Sequence, residues 1–182
     1  LPPSSAASDV YKRQELGFEL YVKKENALKL FDILMDKGKS YKISLCGMHA
    51  MDIMRMESGY LHWGHDISPE ENQFEAGLNF AVSFKKNINF IGRTALEKKR
   101  DKKDHKKFKM LILNHSKEGA PLLLHDEPIY LKDKIVGRTT SGCYSFNYNK
   151  NLAFGYINSG LTSDQIDREA FEIEVEKKKY PA

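Results

Sequence analysis

The chain has 182 residues, and 41% of them are hydrophobic, which is enough to bury the core of one large domain or two small ones. Its 29 basic and 25 acidic side chains nearly cancel, so the net charge of +4 gives little reason to expect nucleic acid or another polyanion as a partner. Two cysteines, Cys46 and Cys143, fit neither a disulfide framework nor a paired metal motif, which favours a reducing compartment.

The N-terminal residues differ in character from the rest of the chain. They read L-P-P-S-S-A-A-S-D-V, small and polar without periodicity, so residues 1–14 are expected to be a disordered leader or a sequence foreign to the domain. They also lack the charged and then apolar pattern of a signal peptide. Since no apolar run approaches the roughly 18 residues that a membrane helix needs, we expect no membrane partner.

Alternation and helical spacing predict the first elements. Apolar residues at 18, 20 and 22 predict a short strand, Asn26 is a candidate helix cap, and Gly38 is a candidate helix end. Residues 41–45 predict a second strand. A methionine-rich helix then runs to about Gly59, and its methionines are better explained as adaptable core filling than as a soft metal site.

Binding-type side chains are densest in residues 55–78, which read R-M-E-S-G-Y-L-H-W-G-H-D-I-S-P-E-E-N-Q-F-E-A-G-L. Within them S-P-E-E has the form of a helix start, with a hydroxyl cap, proline at the first helical position and a returning glutamate. His62, His65 and Asp66 have some of the character of a metal site. A second ligand cluster is missing, so structural hydrogen bonding is the favoured interpretation.

A charge run separates two regions of the chain whose sequence patterns differ. Residues 80–84 predict a strand, and F-I-G-R leads into a short helix that ends in K-K-R-D-K-K-D-H-K-K at 98–107. Two aspartates interrupt this run and no aromatic residue is interleaved, which favours a solvated helix end and linker over a nucleic-acid patch. The sequence therefore predicts one domain at 15–104 and another at 105–182.

After the linker, short strands alternate with turns. Strands are predicted at 108–113, 129–132, 135–141, 152–157 and 171–176, with Asp133 and Lys134 as a tight turn. This spacing is typical of a small antiparallel barrel or sandwich, and with the helices before it the chain is predicted to be α+β.

Three stretches carry a resemblance to a known family. The string R-x-E-x-G-Y-x-H-W-G-H-D, followed by E-A-G-L, resembles the folate-binding aminomethyltransferase (glycine cleavage T-protein) superfamily, and especially the folate domain that ends the dimethylglycine and sarcosine dehydrogenases. V-G-R-T-T-S-G and N-L-A-F-G-Y-I are similar to the terminal barrel of aminomethyltransferases. The resemblance implies the C-terminal part of the folate-binding domain, followed by a small antiparallel β-barrel.

The resemblance also implies site residues. Glu19 matches the second glutamate of the family's Glu-x-Gly-aromatic-Glu element, and one carboxylate can hold the N–H and amino group of a reduced pterin through two charge-assisted bonds. Tyr60 matches a position near the folate ring, and Trp63 belongs either to the same pocket or to the core. The family's catalytic aspartate lies upstream of the matched residues, so no residue here is assigned to catalysis.

By resemblance, the chain is a tetrahydrofolate-binding fragment of a dimethylglycine or sarcosine dehydrogenase-like enzyme, which captures a one-carbon unit as 5,10-methylenetetrahydrofolate. The implied partners are folate, a methylated glycine and an upstream domain that holds FAD, and the fragment alone is expected to be inactive. The expected compartment is the cytoplasm, or the mitochondrial matrix in a eukaryote. The alternatives are a stand-alone glycine cleavage aminomethyltransferase and a non-catalytic folate-binding module.

One departure from the family pattern bears on this choice. Many stand-alone aminomethyltransferases carry Ala-Arg-Asp in the second helix, where this chain has Ala50, Met51 and Asp52. The missing arginine favours the dehydrogenase-linked branch.

Overall fold

The computed structural model describes residues 18, 20–86, 88–100, 105–114, 116–158 and 160–182. The chain divides into two compact units, the first ending at Tyr60 and the second spanning Leu61–Ala182. The predicted leader lies outside the described residues, and the domain boundary at 104/105 stays a prediction. Helices followed by one antiparallel sheet confirm the α+β class.

Helix α1 spans Ala27–Gly38, where a helix is predicted, but neither end has the predicted chemistry. Asn26 makes no side-chain cap hydrogen bond. The chain continues beyond Gly38 into a 3-10 helix, Lys39–Tyr41, and turns only at Lys42, whose φ is 57°. No residue of α1 is buried.

Both strands predicted in this unit are wrong. Residues 18 and 20–22 form no strand, although their apolar residues alternate, and alternation makes a strand only where another strand pairs with it. In 41–45, Tyr41 instead ends the 3-10 helix, and the N–H of Lys42 donates to the Lys39 carbonyl (3.1 Å). Helix α2 spans Met48–Glu57, as the methionine-rich pattern predicts.

The predicted helix start at Ser68 is wrong, although its capping bonds form. Both the N–H and the hydroxyl of Ser68 donate to Oε2 of Glu71, at 2.8 and 2.6 Å. Asn72 and Glu75 repeat the arrangement at once, since the Asn72 N–H and amide donate to Glu75 Oε2 at 2.9 and 2.6 Å. The second side-chain cap competes with continuation of the helix, so two consecutive turns form instead.

Residues 80–84 are not a strand either, because the 3-10 helix Asn79–Ala81 occupies their start. Helix α3 spans Arg93–Arg100 and begins where the sequence predicts it. Its first residue holds the preceding loop, because the Arg93 guanidinium donates to the carbonyls of Phe84, Lys86 and Ile88 at 3.0–3.1 Å.

Six antiparallel strands form one sheet in the order β1-β4-β3-β2-β5-β6. They are β1 (Lys107–Ile112), β2 (Pro128–Leu131), β3 (Lys134–Ser145), β4 (Lys150–Ile157), β5 (Phe171–Val175) and β6 (Lys178–Pro181), with a short helix α4 (Ser163–Ile166) before β5. The five predicted strands are confirmed, with shifted ends, whereas β6 was missed because K-K-Y-P has no apolar alternation. The β2–β3 turn falls on Lys132 and Asp133, one residue before the predicted position.

The sheet encloses the hydrophobic core of the second unit. Beyond β1, the Asn114 N–H donates to the Pro181 carbonyl (2.9 Å), which joins the chain at the two outer strands. The buried apolar residues come from the sheet, its connections and α4: Leu111, Leu113, Leu123, Ile129, Ala153, Ile157, Ile166, Phe171, Ile173 and Val175.

The glycines of V-G-R-T-T-S-G mark close approaches. A Cβ on Gly137 would lie 1.9 Å from the Tyr156 carbonyl oxygen, and one on Gly142 would lie 2.3 Å from the Leu123 Cβ.

Among the described residues, no helix combines the length and the apolar content needed to cross a bilayer.

Candidate functional site

Helix α2 ends in a motif that fixes the backbone of Tyr60. The Tyr60 N–H donates to the Arg55 carbonyl (2.9 Å) and the Gly59 N–H donates to the Met56 carbonyl (3.0 Å). These are the two bonds of a Schellman motif, and Gly59 occupies its left-handed position with φ 80°. The sequence S-G-Y therefore places Tyr60 in the hydrogen-bonded turn that ends α2.

Arg55 adds a side-chain grip to this helix end. Its Nη1 donates to the Tyr60 carbonyl (3.1 Å) and its Nε donates to Oδ1 of Asp52 (2.9 Å). Only 9% of the arginine is exposed. Arg55 therefore supports the turn that leads to Tyr60.

Of the three predicted folate residues, the structure describes Tyr60 and Trp63, which differ in exposure. Tyr60 is half-buried at the end of the first unit, and Trp63, in the second unit, is 60% exposed, which argues against a core role for it. Glu19 lies outside the described residues. The three assignments stay predictions.

The His-Trp-Gly-His-Asp motif forms a tight loop around one carbonyl. The N–H groups of His65, Asp66 and Ile67 all approach the His62 carbonyl, at 2.8–3.3 Å, and the Gly64 N–H donates to the Ile67 carbonyl (2.8 Å). The two histidine rings lie 4.6 Å apart, tilted by 45°. No group of three or more metal-ligating side chains occurs in the described part of the chain.

Asp66 attaches this loop to the sheet. The carboxylate is 1% exposed, and its Oδ1 accepts hydrogen bonds from the hydroxyls of Thr140 (2.6 Å) and Ser141 (2.7 Å) on β3. Its Oδ2 accepts one from the His62 N–H (2.8 Å). The Asp66 carbonyl accepts a fourth from the Tyr156 hydroxyl on β4 (2.8 Å). Asp66, Thr140 and Ser141 therefore form one largely buried polar cluster.

A cleft of about 660 Å³ opens beside this cluster. It is lined by Gly64, His65, Ser68, Glu70, Glu71, Lys106, Ile135, Val136, Gly137, Arg138, Thr140, Tyr156 and Asn158. Trp63 does not line it. The sequence pattern had not indicated this cleft, whose residues come from four separate stretches, although the S-x-x-E spacing of Ser68 and Glu71 was a visible signal.

The cleft holds paired charges. Lys106 Nζ lies 2.5 Å from Oε1 of Glu71 and 4.8 Å from the centre of the Tyr156 ring. Burial tends to raise the pKa of Glu71, but hydrogen bonds from Lys106 and Ser68, together with the lysine charge, outweigh burial and hold that pKa below its ordinary value. At the rim, Arg138 Nη1 lies 2.5 Å from Oδ1 of Asp126.

Tyr156 remains a hydrogen-bond donor at physiological pH. Burial, and then the nearby carboxylates of Glu71, Asp66 and Glu75, raise the pKa of its phenol far above the ordinary value. A phenol that stays protonated and donates to a backbone carbonyl is poorly suited to act as a general base. Tyr156 therefore serves to join β4 to the loop that contains Asp66, and the Lys106–Glu71 pair joins two further segments of the cleft.

Several cations of the basic run are engaged within the protein. Lys106 pairs with Glu71, Lys107 Nζ donates to the Leu161 carbonyl (2.7 Å), and the Arg100 guanidinium lies 5.1 Å from the centre of the Phe84 ring. These contacts give part of the run an internal role.

In the second unit, a buried aspartate loop is attached to a six-stranded antiparallel sheet, and this unit follows the two helices α1 and α2 in the chain. Residues 13–86 match the model of the GCVT N-terminal domain, and residues 106–182 match that of the glycine cleavage T-protein C-terminal barrel domain. The chain belongs to the glycine cleavage T-protein superfamily.

Individual relatives agree with this assignment. The chain is 34% identical over 171 residues to mitochondrial dimethylglycine dehydrogenase of Homo sapiens, which covers 92% of this chain and 19% of that protein. It is 36% identical over 143 residues to an aminomethyltransferase of Symbiobacterium thermophilum, covering 79% of this chain and 37% of the relative. The fold is shared with the glycine cleavage system aminomethyltransferase T of Bartonella henselae, with a TM-score of 0.73, 21% identity, and coverage of 93% of this chain and 45% of that one.

The chain thus spans about a fifth of the human dehydrogenase and less than half of the two aminomethyltransferases. It is related to enzymes of both kinds and is an aminomethyltransferase-like module.

Proposed function

We propose that this chain is the tetrahydrofolate-binding part of a dimethylglycine or sarcosine dehydrogenase-like enzyme. In this role it captures the one-carbon unit removed from a methylated glycine as 5,10-methylenetetrahydrofolate. The observation that carries the proposal is the alignment with human dimethylglycine dehydrogenase, which covers 92% of this chain and so includes both units.

The residues present suit a folate ligand. Tyr60 offers a phenol that can pack on a flat heterocycle and still form a hydrogen bond, and the exposed indole of Trp63 is available for the same purpose. Glu19 would hold the N–H and amino group of the pterin. Tetrahydrofolate supplies the nucleophilic nitrogen, and the protein contributes by orienting the ligand and excluding water.

FAD and the oxidation step belong, in this proposal, to a different domain of the same enzyme. The proposed compartment is the cytoplasm, or the mitochondrial matrix if the source is a eukaryote, and cell fractionation with an antibody to the chain would test it.

A second candidate is a stand-alone aminomethyltransferase of the glycine cleavage system. The relative from Symbiobacterium thermophilum favours it, since it is 36% identical and bears that name. The full-length protein distinguishes the two candidates by its donor. Formation of methylenetetrahydrofolate from a methylated glycine supports the dehydrogenase-like enzyme. Its formation from an aminomethylated lipoyl carrier protein supports the stand-alone aminomethyltransferase.

Replacement of Glu19 tests the folate site itself. In the full-length protein, Glu19→Ala should weaken tetrahydrofolate binding about tenfold or more, because two charge-assisted hydrogen bonds are lost. Glu19→Gln keeps the size of the side chain but offers one acceptor oxygen, so its affinity for tetrahydrofolate should lie between those of the parent and Glu19→Ala. Isothermal titration calorimetry gives the dissociation constants directly.

Glu25→Ala is the matched control, because Glu25 is another carboxylate near the N-terminus and is exposed. Its affinity for tetrahydrofolate should equal that of the parent protein. If Glu19→Ala also binds like the parent, the assignment of Glu19 to the pterin is wrong.

A further inference from the structure

We propose that Arg55 is a positioning residue of the folate site, which acts by fixing the backbone from which the Tyr60 phenol projects. The inference rests on the proposed function, in which Tyr60 contacts the folate ring. It assigns a role to a buried arginine that itself need not touch the ligand.

Arg55 binds both backbone polar groups of Tyr60. The Arg55 carbonyl accepts from the Tyr60 N–H at 2.9 Å, and the Arg55 guanidinium donates from Nη1 to the Tyr60 carbonyl at 3.1 Å. A Schellman motif supplies only the first of these bonds. The second bond is particular to this arginine, and with it both backbone polar groups of Tyr60, three residues after the end of α2, are held.

The guanidinium is itself held in place. Its Nε donates to Oδ1 of Asp52, three residues earlier on α2, at 2.9 Å, and Arg55 is 9% exposed. A buried cation persists where it is paired, and the rigid planar fork of arginine can serve a carboxylate and a carbonyl in fixed directions at once. Lysine keeps the charge but offers no such fork.

Rigidity of this kind affects binding more than chemistry. A ring that must lie against a flat ligand binds tightly when its backbone is already fixed, because less conformational entropy is lost on association. Loosening Tyr60 should therefore raise the dissociation constant of tetrahydrofolate. The rate of turnover at saturating folate should change little.

A double-mutant cycle in the full-length protein tests the proposal, with tetrahydrofolate as the titrant. Arg55→Lys should weaken binding about fivefold, and Tyr60→Ala should weaken it about tenfold or more. Because Arg55 acts through Tyr60, the double variant should bind no more weakly than Tyr60→Ala alone. A residue that supports the fold in general, or that touches folate directly, would give losses that multiply.

Arg93→Lys is the matched control, since Arg93 also donates to backbone carbonyls but lies in the second unit. Its tetrahydrofolate affinity should be unchanged. Thermal unfolding shows whether each variant is folded. If Arg55→Lys is not folded, Asp52→Asn replaces it in the cycle, because this variant keeps the arginine and weakens the hydrogen bond that anchors it. We expect Asp52→Asn to lower the affinity for tetrahydrofolate about twofold.

The outcomes are distinguishable. Unchanged affinity in Arg55→Lys, or a loss that persists fully in the Tyr60→Ala background, overturns the positioning role while leaving the folate proposal in place. Unchanged affinity in Tyr60→Ala removes Tyr60 from the site and the inference with it. Titration of the parent protein decides separately whether it binds tetrahydrofolate, and Glu19→Ala decides whether Glu19 holds the pterin.

Discussion

Asp66 has structural importance beyond its place in a recognisable motif, because its buried carboxylate accepts hydrogen bonds from the Thr140 and Ser141 hydroxyls and from the His62 N–H. Removal of the carboxylate leaves these three donors without this acceptor in a largely buried setting, where Asp66 is 1% and Ser141 7% exposed. The cost of such groups, rather than the strength of the bonds, makes the residue hard to replace.

We expect Asp66→Ala to lower the free energy of unfolding by about 3 kcal/mol. Asp66→Asn keeps one acceptor oxygen, so its free energy of unfolding should fall by less. Urea denaturation at neutral pH measures both, and Asp133→Ala, at a fully exposed carboxylate, serves as control and should match the parent. Equal stability of Asp66→Ala and the parent would show that the cluster contributes nothing.

At the scale of elements, the turns of residues 68–75 are attached to the entry of β1. Lys106 pairs with Glu71 at 2.5 Å, and the Phe108 N–H donates to the Glu75 carbonyl at 2.8 Å. His105 Nδ1 also lies 3.7 Å from Oε1 of Glu75. The two side-chain caps thus orient carboxylates toward the strand instead of starting a helix.

The pairing of Glu71 predicts a pH dependence. Its pKa lies below the ordinary value of 4.5, since Lys106 and Ser68 outweigh the opposing effect of burial. The folded state therefore binds fewer protons, and the stabilisation is complete above the unfolded pKa and is lost as the pH falls through the folded pKa. The stability advantage of the parent over Glu71→Gln should shrink as the pH drops below about 4.5.

Chemical denaturation between pH 7 and pH 3 checks this dependence. Glu169→Gln, at an exposed position, should have the same free energy of unfolding as the parent at every pH in this range. A constant difference between the parent and Glu71→Gln across the range would contradict the prediction.

These elements also show how far the sequence can be interpreted. Helical spacing located α1 and α2, and alternation located five strands, because each pattern coincides with an element that forms. The same alternation at residues 18–22 gave a wrong strand, since no partner strand pairs with it in the described part of the chain. S-P-E-E predicted capping bonds correctly but not the competing cap at Asn72, which ends the turn.

The candidate site was accessible only in part. Glu19, Tyr60 and Trp63 came from resemblance to a family, because carboxylates and aromatic residues have no spacing that distinguishes a ligand from a core residue. The Arg55 to Tyr60 bond depends on the way the chain leaves α2, and the cleft joins stretches up to 90 residues apart. Such contacts follow from the fold and not from local pattern.

At the scale of the whole molecule, the two units differ in how their backbones are protected. Each of the central strands β3 and β4 pairs with a strand on both sides, and β4 is buried from Asn151 to Ile157. By contrast, α1 has no buried residue. Burial and pairing make local opening costly in the sheet and inexpensive in the helix.

Hydrogen exchange of the 182-residue chain should therefore give two distinct levels of protection. We expect α1 amides to exchange at least about 100-fold faster than those of β4, whose exchange requires the sheet to open. Gly142→Ala, which places a Cβ 2.3 Å from that of Leu123, should accelerate exchange in β4 and leave α1 unchanged. Equal protection of α1 and β4 in the parent would show that the chain opens as one cooperative unit, because the helix would then share the stability of the sheet.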